Sequence, residues 1–102
     1  MEYKQVFKSN GFYLGFIKNG YLFSRDGIYL GWVEGNFVWD SSGQFRGMIY
    51  DIAGHTYILN NRFMIPPVAR PARPAPTNEA PPPPPANIPP VSLKVEFTDA
   101  FK

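Results

Sequence analysis

From Tyr3 to about residue 50 the chain alternates apolar and polar positions in runs of four to seven residues, and glycine breaks the runs at fixed intervals. Glycine stands at 11, 27 and 43 and again at 15, 31 and 47, each set repeating every 16 residues. Alignment on that spacing stacks Ser9-Asn10-Gly11-Phe12-Tyr13-Leu14-Gly15-Phe16-Ile17 over Arg25-Asp26-Gly27-Ile28-Tyr29-Leu30-Gly31-Trp32-Val33 and Ser41-Ser42-Gly43-Gln44-Phe45-Arg46-Gly47-Met48-Ile49. Period-2 alternation rich in aromatic and β-branched residues is the signature of strands with one buried face. Asn19-Gly20 and Gly35-Asn36 lie between the copies and suit the positive φ of tight hairpin turns. Each copy is therefore two strands and two turns.

A fourth copy follows at a spacing of 18, because Asp51-Ile52-Ala53-Gly54 lengthens the third loop. On that spacing Tyr57 continues the series Phe7, Phe23, Trp39, and Phe63 continues Tyr13, Tyr29, Phe45, completing a repeat core of eight aromatics. Pro66-Pro67 ends the last strand, since proline donates no ladder hydrogen bond. Strands are expected near 3–8, 12–18, 21–25, 28–34, 37–41, 44–50, 55–59 and 62–65. Eight antiparallel neighbours made of four two-strand repeats leave bare edges unless the ribbon closes, so the expectation is an all-β, closed or nearly closed small barrel.

The run Gly-x-Tyr-x-Gly-x-[Val/Ile], hairpin loop, aromatic and turn, repeated about four times, resembles the four-fold beta flower domains. The resemblance covers residues 1–66 and leaves the rest of the chain unaccounted for. It implies a shallow antiparallel barrel of fourfold pseudo-symmetry with an apolar interior, similar in outline to the lipid-binding tubby C-terminal domain. Two departures stand out: Ile65 where the fourth copy should have glycine, and Ser41-Ser42 where an acidic turn residue is common.

Strict alternation puts Tyr13, Tyr29 and Phe45, the glycines Gly15, Gly31 and Gly47, and Ile17, Val33 and Ile49 on one face, expected to be the core. The opposite face reads Phe12, Leu14 and Phe16, then Ile28, Leu30 and Trp32, then Gln44, Arg46 and Met48, apolar in the first two copies and mixed in the third; from it come Phe12, Phe16, Leu30, Trp32 and Met48. That set is a candidate binding surface if it faces solvent, since monomers seldom expose large apolar patches without a use. The alternative is that both faces are buried, the second under the tail or a partner copy.

Composition narrows the chemistry. With no cysteine among 102 residues, neither a Cys-ligated zinc or iron–sulfur site nor a thiol nucleophile can be assembled, and His55 has no second His or Cys with which to complete a transition-metal site. His55 reads as a half-buried strand residue, and Asp26, Asp40 and Asp51 as turn-formers. Paired carboxylates for glycoside hydrolysis need a set separation across a cleft, and sequence alone leaves Glu34 with Asp51 open for that part. No general acid, base or nucleophile has a recognisable partner, so no enzyme and no cofactor are expected. Ten basic and eight acidic residues are scattered, and Lys18 is matched by Glu34 in the next copy, so no basic groove for nucleic acid forms around Trp32 and Trp39. No apolar run suggests a signal peptide or a membrane span, which gives a cytoplasmic expectation, with peripheral membrane association as its variant.

All 12 prolines fall between residues 66 and 90. Three parts are expected: a β-domain over 1–66, an extended proline-rich linker over 67–90, and a strand-like segment over 91–102, in which 91–97 should pair with the domain's own edge or a neighbouring copy. The function expected is a non-catalytic binding or assembly module whose apolar channel or rim engages a membrane lipid, an apolar ligand or protein, including a second copy. The alternative is an adaptor whose proline-rich tract and terminal strand recognise a proline-motif-binding protein.

Overall fold

The structure is a computed structural model in which residues 3–101 are described. Its strands are β1 (Lys4–Phe7), β2 (Tyr13–Lys18), β3 (Tyr21–Ser24), β4 (Tyr29–Glu34), β5 (Phe37–Asp40), β6 (Phe45–Ile52), β7 (His55–Asn61) and β8 (Phe97–Asp99). Successive strands pair antiparallel, and β1 closes the barrel against β7 in parallel through Val6↔Thr56 and Phe7↔Tyr57. Seven strands thus form a closed barrel, and β8 lies on the free half of β7.

Three turns are built alike. The N–H groups of Gly11, Gly27 and Gly43 donate to the carbonyls of Lys8, Ser24 and Asp40, and those three residues donate in turn to Phe12, Ile28 and Gln44. Each glycine has φ between 85° and 93°, a left-handed conformation that side chains rarely adopt. A turn followed by such a glycine inserts a bulge: Val6 faces Gly15 but Phe7 faces Tyr13, so Leu14 is skipped.

That bulge corrects the assignment of faces, because a one-residue slip moves side chains to the opposite side. Leu14 and Leu30 point inward and pack with Ile17, Val33 and Ile49 around the buried Val6, Leu22, Val38 and Ile58, which fill the barrel. Tyr13 packs instead with Phe7, and Phe16 with Phe23, on the outer face. Trp32 stacks on Trp39 there, ring centroids 6.4 Å apart.

The fourth copy is displaced by 20 residues rather than 18. Met48 faces Leu59 and Ile49 faces Ile58, just as Trp32 faces Trp39 and Val33 faces Val38. Two extra pairs, Asp51↔Thr56 and Ile52↔His55, lengthen both strands of this hairpin, so the turn shifts by two residues and everything beyond it by four. Leu59, not Tyr57, therefore continues the series Phe7, Phe23, Trp39. Tyr57 is buried all the same, among Phe7, Tyr13 and Leu59. Phe63 falls where Gly11, Gly27 and Gly43 turn the chain, and it is 71% exposed.

With phenylalanine in place of that glycine and Pro66-Pro67 beyond, residues 62–65 form no strand. Phe97–Asp99 takes the vacant place, pairing Leu59↔Asp99, and the Ala100 N–H donates to the Ile58 carbonyl at 3.1 Å. Ala100, buried against the barrel core, thus fills the column of Gly15, Gly31 and Gly47. The strand expected over 91–97 begins at its last residue.

Candidate functional site

Residues 67–90 do not stand away from the barrel. They run around it as a strap that meets the three turns in reverse order. The Arg70 N–H donates to the Gly43 carbonyl at 2.8 Å, Glu79 to Gly27 at 3.0 Å and Ile88 to Gly11 at 2.9 Å. In each case the carbonyl of the same strap residue occupies the space where a side chain on the turn glycine would start. The contact points are nine residues apart. Nine residues of polyproline II span about 28 Å, which matches a quarter turn around a body 35 Å across.

Side chains set the register of this main-chain clamp. Arg70 lies over the Trp39 ring and Arg73 over the Trp32 ring, at 4.9 and 4.7 Å from the ring centroids, and both reach the Glu34 carboxylate, Arg70 at 2.7 Å and Arg73 at 3.2 Å. Lys18, at the position equivalent to Glu34, pairs with Glu79 at 2.9 Å. The Asn78 side chain accepts from the Tyr29 N–H at 3.1 Å. In the last quadrant the contacts turn apolar: Ile88, Val91, Leu93 and Phe97 pack on Phe7, Tyr13 and Tyr50. Then Ser9 donates through both N–H and Oγ to Asp99, at 2.8 and 2.6 Å.

The candidate binding surface is consequently not open. Phe16 and Trp32 are 1% and 0% exposed, and Ala80 and Pro82 of the strap line a cavity of about 170 Å³ with Phe16. Leu30 belongs to the barrel core and Met48 is half-buried. Only Phe12 stays exposed, at 53%, matched by Ile28 one copy on. Sequence reading missed Arg70, Arg73 and Glu79. The outer face also holds the Nε1 atoms of Trp32 and Trp39 and the hydroxyls of Tyr13, Tyr29 and Tyr57, all buried without a hydrogen-bond partner. Burial pushes the three tyrosines above their ordinary pKa.

His55 sits in the hairpin extension, edge-on to Phe7 at 5.4 Å, beside a cavity of about 410 Å³ at the β1–β7 seam. Glu34 and Asp51 do not form a pair: the first holds the strap arginines, the second accepts from Thr56 Oγ1 at 2.8 Å and meets Lys4 at 3.6 Å. No three His, Cys, Asp or Glu residues converge on a metal position among the described residues, and no helix there is long and apolar enough to cross a membrane.

The fold and this face define a repeat-built β-barrel whose outer aromatic surface is covered by an extended segment. The chain belongs to the 4-fold beta flower family, whose family model matches residues 1–95. The match extends past the 1–66 expected from the repeats and takes in the strap. No curated protein and no solved structure matches the chain.

Proposed function

We propose that this protein is a non-catalytic binding and assembly module that recognises an extended, proline-rich peptide on the aromatic outer face of its barrel, its own strap being the occupant in this conformation. The observation that carries the reading is the threefold clamp, in which Gly43, Gly27 and Gly11 each take a strap N–H at nine-residue intervals. Main-chain recognition of polyproline II, with arginines stacked on tryptophans, is a peptide-binding mode rather than a catalytic one. The filled interior favours the outer face over an apolar channel.

A labelled peptide spanning residues 68–91, titrated into the full chain, tests this. The tethered strap competes at an effective concentration in the millimolar range, so wild type should bind the peptide at least tenfold more weakly than an Arg70→Ala/Arg73→Ala/Glu79→Ala chain. Near-UV circular dichroism establishes that the variant keeps its tryptophans packed. Absence of binding to a folded variant overturns the reading. Phe12 and Ile28, exposed at equivalent turns, favour a second reading, contact with a membrane or apolar ligand. Liposome co-sedimentation abolished by Phe12→Ala/Ile28→Ala would support it.

A further inference from the structure

Every copy of this chain carries both a strap and a receptor for one. We infer that the partner this surface takes is the strap of a second copy, exchanged together with β8. The inference rests on the peptide-binding reading above. The three glycine clamps, the Lys18–Glu79 and Glu34–Arg70/Arg73 pairs and the β7–β8 ladder all join residues 3–61 to residues 70–101. All of them can form between two chains unchanged, so exchange alters only the path of the connecting segment.

That segment has the composition of an interface. Between the end of β7 and the first clamp, Phe63, Ile65 and Val68 are 71%, 90% and 88% exposed, three bulky apolar side chains within six residues. In an exchanged pair two such segments run side by side and cover one another. Fully extended, its eight residues reach about 27 Å, enough to cross to a second barrel stacked on a body 20 Å thick.

Charge fixes which strap fits. Lys18 and Glu34 occupy equivalent positions with opposite sign, and the strap answers with Glu79 and with Arg70 and Arg73. A slip by one nine-residue step sets Glu79 against Glu34.

The test uses two full-length variants, Lys18→Glu and Glu79→Lys. Each alone places like charges at a half-buried contact and should melt below wild type as a monomer. Joined in one chain, the two substitutions should restore the melt. In an exchanged pair of one chain of each kind, both barrels regain an opposite-charge contact. After co-refolding, native mass spectrometry should therefore show heterodimer at least tenfold over either homodimer. Destabilised single variants that remain monomeric when mixed overturn the exchange while leaving peptide binding intact. Single variants that melt like wild type overturn both, because the strap would then not be seated at Lys18.

Discussion

The first three copies and the fourth start from equivalent strands, β1, β3 and β5 of four residues and β7 of seven, and end differently. In the first three a glycine at φ near 90° folds the chain back, the bulge turns Leu14 and Leu30 inward, and the long strand is made locally. In the fourth, Phe63 stands at the turn and the chain departs, encircles the other three, and returns its closing strand from residues 97–99. Local chain reversal thus depends on one permissive residue. Where it is missing, the sheet is completed from a distance, and the journey covers the outer face.

The sharpest way to break this comparison is to truncate residues that the repeat pattern treats as alike. Trp39→Ala removes a fully buried ring stacked on Trp32 and beneath Arg70, and should cost about 3–5 kcal/mol in urea unfolding. Phe63→Ala, on the segment that is exposed in the single chain, should stay within about 0.5 kcal/mol when the monomer is unfolded. Equal costs would restore Phe63 to the core.

A smaller effect separates turns that carry the strap from one that does not. Gly43→Ala forces a side chain into a left-handed position and into the Arg70 carbonyl, and should cost about 2–4 kcal/mol. Gly35→Ala, with φ 60° and open space around it, should cost about 1 kcal/mol. The difference, read from the same denaturation series, measures the clamp.

The smallest effect is titratable. Burial raises the pKa of Asp40, but hydrogen bonds from Ser42 Oγ, from the N–H groups of Gln44 and Ser42, and from Arg46 outweigh it and hold the carboxyl below its ordinary value of 3.8. A carboxylate lowered on folding contributes stability above its unfolded pKa and loses it as pH falls through the folded one. Stability should therefore drop at the acid end, and Asp40→Asn should flatten that slope. Asn60, which holds this position in the fourth copy, carries no such charge. An unchanged acid limb in the variant would remove Asp40 from the account.

The 16-residue period was legible because glycine marks both the turn and the strand in each copy. The fourth register was not, since its four inserted residues, Asp51, Ile52, His55 and Thr56, divide evenly about the turn. Counting from turn to turn detects only half of them. Those same residues extend β7 far enough for Thr56 to meet Val6 and close the barrel. The inward turn of Leu14 was hidden by the bulge, which strict alternation does not contain. Extension of the proline-rich segment was evident from composition and cover of the second face by the tail was one of two alternatives, but the residues that make the docking contacts were not legible. Arg70, Glu79 and Ile88 share no side-chain chemistry, because the clamp they repeat is made by the main chain.

The strap's position late in the chain also sets an order of events. A ribosome adding about 5–20 residues per second completes β7 roughly 2–8 s before the last of residues 70–101 is added, and until then part of the outer aromatic face of the barrel stays uncovered. On the exchange proposed above, that interval is when the strap of a neighbour on the same message can reach the uncovered face first.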